Sequence, residues 1–153
     1  MIAQLDTKTV YTFMDSLISI KKYVKTAKNL GYQALGMMDI DNLYGAYHFM
    51  EIATEQGIQP LLGVEMTLEY VDVPLNLRFL ALDSQGYRNL MKLSTLKMIG
   101  KRKWEEFQHL LEGVAIIVPV FEGIEALDLG REFYIGVFPD TPKQAFPHAT
   151  LPL

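Results

Sequence analysis

Three short stretches carry the carboxylates best spaced for chemistry: Gln4-Leu5-Asp6, Met38-Asp39-Ile40-Asp41-Asn42 and Gly63-Val64-Glu65. Each ends an apolar run that reads as a strand, and α/β sheets and barrels bind ligands at the carboxyl ends of their strands. Asp6, Asp39, Asp41 and Glu65 could form an oxygen-only cation site, with Lys8 near enough to meet a phosphate. Hydrolysing a phosphoester with metals needs a cation that lowers the pKa of a bound water and neutralises developing charge. Carboxylates alone suit magnesium or calcium, whereas imidazole suits zinc, manganese and iron. None of the three stretches contains a histidine. His48, His109 and His148 fall on a helix, on a second short helix and in a proline-rich tail, which are surface or boundary positions rather than strand ends. A structural reading stands beside the chemical one: Asp39 and Asn42 are strong capping types that would hold the turn into the next helix.

The surrounding chain has the composition of a packed domain. Half of its 153 residues are apolar and 21% are charged, enough to bury a core as one domain or as a piece of a larger one. Cysteine is absent, which excludes disulfides, thiolate zinc sites and cysteine nucleophiles and fits the cytoplasm. A net charge of −4 disfavours direct gripping of DNA by this segment. The apolar run from Gly113 to Phe121 is far short of the ~20 residues a membrane helix needs, and Asp6 and Lys8 leave no room for a signal peptide core.

Periodicity supplies the elements that must position these groups. Ile20, Tyr23, Val24, Ala27 and Leu30 share one helical face over Ser19–Leu30, with Lys21, Lys22, Lys25 and Lys28 opposite, Ser19 as cap and Gly31 as stop. A short strand follows at Ala34–Met38. A second helix runs from Leu43 to Gln56, with Ala46, Phe49, Met50 and Ala53 inward and Gly57 after it. Helix, glycine and short apolar strand occur twice, which is the βαβ pattern of a parallel sheet or barrel. Gly63–Tyr70 and Leu75–Leu82 predict an antiparallel pair joined around Asp72-Val73-Pro74. Asp83 or Ser84 caps a third helix reaching Met98, and a short helix spans Trp104–Leu111. Strands are expected at Val114–Val118 and Glu132–Val137, with a weak helix at Ile124–Leu129 between them. Lys97, Lys101, Arg102 and Lys103 beside Trp104 form a basic stretch where Lys101, Arg102 and Lys103 could touch phosphate, a charged surface loop being the plainer reading.

Tyr11-Thr12-Phe13-Met14-Asp15, the helix to Gly31, Ala34-Leu35-Gly36-Met37-Met38-Asp39, Asn42-Leu43-Tyr44-Gly45-Ala46, Gly57 to Glu65, Gly86-Tyr87-Arg88-Asn89-Leu90 and Leu111-Glu112-Gly113-Val114 occur in one order. Together they resemble the polymerase-and-histidinol-phosphatase (PHP) domain, as found at the N-terminus of bacterial DNA polymerase III alpha subunits. The resemblance implies a metal cluster held by histidines and carboxylates in active members. Here Gln4, Asp6 and Lys8 stand at the first motif's histidine positions. Asp39 remains in the second motif while Ile40 replaces its histidine and would fill the site with hydrocarbon. Glu65 matches the third motif's bridging glutamate. Lys8 could set its ammonium in place of a metal and pair with Asp39 or Glu65. Later histidine motifs are not reached before Leu153, so the resemblance covers roughly half of a PHP domain and none of the polymerase.

The expected fold class is α/β, a partial PHP-type distorted β/α barrel with an antiparallel hairpin around 63–82. Residues 1–138 form the N-terminal portion of the domain, and 139–153 a proline-rich extended tail or truncated end. The implied parent is a DNA-directed DNA polymerase, a nucleotidyltransferase of DNA replication. This segment is read as structural, with no catalytic residues and no cofactor, and with Asp6, Asp39 and Glu65 as vestiges of a metal site. Its implied partners are the rest of the alpha subunit, a proofreading exonuclease or other replisome subunit, and DNA through the parent, with no membrane. An active phosphoesterase using Mg, Mn or Zn on a carboxylate-rich site is the first alternative. A stand-alone interaction module is the second.

Overall fold

The computed structural model describes residues 3–121 and 123–136. The proposed tail at 139–153, His148 and the end of the last expected strand at Val137 lie outside the described residues.

The chain alternates strands and helices: β1 (Ala3–Gln4), α1 (Ile20–Asn29), β2 (Ala34–Ile40), α2 (Ala46–Glu55) and β3 (Gln59–Tyr70). It continues with β4 (Val73–Ala81), α3 (Ser84–Met98), α4 (Trp104–Phe107), β5 (Val114–Pro119) and β6 (Tyr134–Gly136). Short 3-10 turns at Gln108–Leu110 and Ile124–Ala126 complete it. The six strands lie side by side in chain order. β1, β2 and β3 are parallel, β4 runs against both β3 and β5, and β6 is parallel to β5.

Each βα unit follows from its sequence. Gly31 and Gly57, at φ +82° and +72°, end α1 and α2 in the left-handed conformation that a glycine adopts without strain. Ile20, Val24 and Ala27 of α1 and Ala46, Phe49 and Ala53 of α2 are buried against Leu35, Met37, Ile58 and Leu62. Leu30 departs from the predicted inward face and is exposed, because it sits at the C-cap where the helix has already ended. Ser19 holds the N-cap position without a side-chain cap bond, whereas Asp83 caps α3 by accepting from the Gly86 N–H at 2.7 Å.

The second core lies under α3 and α4. Val64, Met66, Leu68, Leu77, Phe79, Leu90, Leu93, Trp104 and Phe107 are buried there. The β3–β4 turn is tighter than predicted: Val71 and Asp72, both at positive φ (48° and 61°), join Tyr70 directly to its partner Val73. That register sets Glu65 opposite Arg78 and Val64 opposite Phe79.

Candidate functional site: a carboxylate pair held by two cations

Strand alternation sorts the acidic stretches onto different faces. Residues aligned across neighbouring strands point to the same side, and successive residues point to opposite sides. Asp39 aligns with the buried Val64, and Ile40 aligns with Glu65. Position 40 therefore shares a face with Glu65, and Asp39 faces the other way. Neither acid ends its strand as the sequence reading held: Asp39 is the penultimate residue of β2, and β3 runs on past Glu65 into the hairpin.

On the Glu65 face, four charged side chains from three segments meet. After β1 the chain crosses β2 so closely that a Cβ added to Gly36 would lie 2.2 Å from the Leu5 carbonyl oxygen. This crossing delivers Asp6 and Lys8. The Lys8 Nζ is 2.5 Å from Asp6 Oδ1 and 2.7 Å from Glu65 Oε2. From β4, Arg78 Nε donates to Asp6 Oδ2 at 2.6 Å, and its Nη2 lies 3.2 Å from Glu65 Oε2. Asn76 donates to Glu65 Oε1 at 2.8 Å and accepts from Arg78 Nη1 at 2.9 Å. Burial pushes the Asp6 carboxyl up, but the hydrogen bonds and charges of Lys8 and Arg78 outweigh it and hold the group below its ordinary value. Two cations thus neutralise two carboxylates.

The Asp6 and Glu65 carboxylates are both paired with cations. The oxygens that would face a metal already face an ammonium and a guanidinium, and a cation placed between them would meet like charge. Among the described residues, no group of three or more histidine, cysteine, aspartate or glutamate side chains could hold a metal ion. Gln4 is exposed and donates from Nε2 to the Asp6 carbonyl oxygen at 3.3 Å. Ile40, on the same face as Glu65, is 37% exposed.

Asp39 performs a different task. Fully buried, it accepts from the Thr9 amide (2.6 Å), the Thr9 hydroxyl (2.7 Å) and the Thr12 hydroxyl (2.6 Å). The Ile40 amide also donates to Thr12 Oγ1, at 3.2 Å. The carboxylate fastens the 9–18 loop to β2; it neither caps α2 nor pairs with Lys8. Asn42 holds the following turn, accepting from the Tyr44 amide at 3.1 Å and donating to the Ile40 and Tyr11 carbonyls. Asp41, at φ +58°, donates its amide to the Glu65 carbonyl at 2.9 Å. Burial raises its pKa, against the opposing charges of Lys97 and Arg102.

The basic stretch is divided by the fold. Lys97 is buried, donates to the Thr67 carbonyl and stands 4.0 Å from Asp41 Oδ1, so it is no surface cation. Burial lowers its pKa. Trp104 is core. Lys101 pairs with Glu106 at 2.7 Å, while the Arg102 and Lys103 amides donate to the same carboxylate. Lys101 and these amides hold the Glu106 pKa down at about 2. His48 is exposed, 4.0 Å from Glu51, and His109 is exposed on its 3-10 turn.

Arg78, Asn76, Thr9 and Thr12 were not singled out from the sequence. A signal for the first two was present: Asn76 and Arg78 alternate with Leu75, Leu77 and Phe79, the pattern of a strand with one polar face. Thr12 lies in the Tyr11–Asp15 block of the family resemblance, while Thr9 carries no comparable sign.

A mixed sheet with helices packed by βα units, and carboxylates on the polar face of its third strand, defines a class, and comparison names it. The chain matches the PHP domain over residues 4–134 and belongs to that family. It is 47% identical over 137 residues to the DNA polymerase III subunit alpha of Streptococcus pyogenes serotype M1, covering 90% of this chain and 13% of that protein. The match to the same subunit from Rickettsia felis is 30% over 128 residues, 78% of this chain and 11% of that one. The chain is thus a PHP domain homologous to part of these alpha subunits and spans about an eighth of their length. Among solved structures, a putative metal-dependent phosphoesterase from Bifidobacterium adolescentis superposes with a TM-score of 0.57 at 12% identity, over 76% of this chain and 66% of that one. An amidohydrolase from Chromobacterium violaceum, with sulfate and no metal, matches with the same TM-score, identity and coverage. These two share the fold. Among the described residues, no helix is long and apolar enough to cross a membrane.

Proposed function

We propose that this chain is the N-terminal PHP portion of a cytoplasmic replicative DNA polymerase alpha subunit, and that its former metal site is a metal-free structural brace. The parent would be a DNA-directed DNA polymerase whose nucleotidyl-transfer residues lie in other segments. In this reading the domain supports the polymerase, offers a docking surface to a proofreading exonuclease or other replisome subunit, and meets DNA only through the parent. One observation carries the metal-free part: Lys8 and Arg78 each contact both Asp6 and Glu65. Their charges supply the neutralisation that divalent cations supply in a metal-dependent hydrolase, but they cannot activate a water.

The test is a phosphodiesterase assay with bis(p-nitrophenyl) phosphate and added manganese, zinc or magnesium, run beside calorimetric metal titration. Turnover at the protein-free rate and no stoichiometric binding are expected. Robust turnover that disappears in a folded Asp39→Asn, Glu65→Gln double variant would sink the reading in favour of an active phosphoesterase.

A further inference from the structure

The loop between Thr9 and α1 is held firmly yet displays apolar side chains to solvent. Six of the nine residues from Val10 to Ile18 are apolar. Phe13 is 88% exposed, Met14 93% and Leu17 97%. The loop is closed at its base by the Val10 amide donating to the Ile18 carbonyl at 3.1 Å. Thr12 is bonded to the buried Asp39, and Asn42 holds the Tyr11 carbonyl. Met14 takes a positive φ of 66° at the tip. These ties anchor the base of the loop, while the Phe13, Met14 and Leu17 side chains stand outside the core. Solvated loops are ordinarily polar, and contiguous exposed apolar groups mark contact surfaces.

Two facts indicate what covers it. The relatives extend far beyond this segment, which accounts for only 13% of the Streptococcus pyogenes subunit. The tip carries one acid, Asp15, but the surface it leads into is one-signed: residues 16–38 contain Lys21, Lys22, Lys25 and Lys28 and no acid, in a chain of net charge −4. We propose that the Phe13-Met14-Leu17 tip is an intramolecular docking knob, seated in an apolar pocket with an acidic rim carried by another part of the same polymerase polypeptide. This rests on the reading of the chain as one segment of a longer alpha subunit. Asp39, in this view, is a positioning residue for the knob.

Methionine oxidation by hydrogen peroxide, followed by peptide mass spectrometry of the full-length protein, tests it. Sulfoxide formation follows exposure, so a seated Met14 should oxidise about tenfold more slowly in the folded protein than in guanidinium. Leu17→Asp, at a position whose side chain is free of the core, should restore fast Met14 oxidation without changing the oxidation of core Met37. Met14 oxidising at the unfolded rate in the intact protein overturns the proposal, as does protection that survives Leu17→Asp. Full-length protein that exposes the loop and binds phosphatidylserine vesicles through it overturns it in favour of a lipid surface. A reading frame that stops after codon 153 overturns both this proposal and the polymerase reading, whereas a continuous frame with an unprotected loop overturns this one alone.

Discussion

Arg78 on β4 donates from Nε to Asp6 Oδ2 at 2.6 Å, joining residues 72 positions apart in sequence. The bond ties the segment after the edge strand β1 to the middle of the sheet, and Lys8 closes the same circuit through Glu65. Asp6, Lys8, Glu65 and Arg78 are all mostly buried, so breaking the circuit strands a charge.

Replacing Arg78 with methionine keeps much of the stem but removes the guanidinium. A loss on the order of 2 kcal/mol is expected in urea unfolding, since mostly buried carboxylates lose a charged partner. A double-mutant cycle with Asp6→Asn should return a coupling of about 1 kcal/mol or more. Additive losses would show that the pair contributes nothing of its own.

The two perturbed aspartates should respond to pH in opposite directions. Asp6 has its folded pKa lowered from 3.8, so its stabilisation is present above 3.8 and fades as pH falls through the lower folded value. Asp41 has its folded pKa raised from 3.8, so its contribution is present below 3.8 and is lost as pH rises through the higher folded value. Urea midpoints measured across the acid range should therefore fall less steeply at low pH in Asp6→Asn than in the parent. In Asp41→Asn the decline above 3.8 should flatten, and asparagine suits the positive φ there. Parallel profiles for parent and variants would contradict this.

Asp39→Asn tests whether that carboxylate is a fastening. An amide can accept on only one of its two heavy atoms, yet three donors converge on Asp39. A cost of about 2–3 kcal/mol is expected, with faster amide hydrogen exchange concentrated in residues 9–18. Unchanged exchange in that loop would mean its order comes from elsewhere.

Gly36→Ala should displace the Leu5 crossing, because its new Cβ would fall 2.2 Å from a backbone oxygen that has no rotamer to move. Destabilisation of about 2 kcal/mol or more is expected, together with loss of the Asp6 coupling to Arg78. Gly57→Ala provides the contrast: its Cβ meets nothing within 4 Å, and only the left-handed backbone resists it.

Much of the fold was legible because it is written locally. The 3.6-residue period of Ile20, Val24 and Ala27, the glycines at 31 and 57, and the Asp83 cap each act over a few residues. Errors gathered where an element's end depended on its neighbours. β2 runs on to Ile40 because β3 pairs with it that far, and Leu30 is exposed because it sits at the C-cap, past the last buried turn of the helix.

For the site, the sequence by itself determined which residues were available: carboxylates at 6, 39 and 65, a lysine at 8 and no histidine in the three stretches. It could not decide their company. Only the pleat of β2 against β3 turned Asp39 away from Glu65, and only the β3–β4 register brought Arg78 across from Glu65 and within reach of Asp6. The physical reason is range. Side-chain type and helical period are properties of short segments, whereas the partner of a half-buried charge is set by strand pairing between residues far apart in the chain.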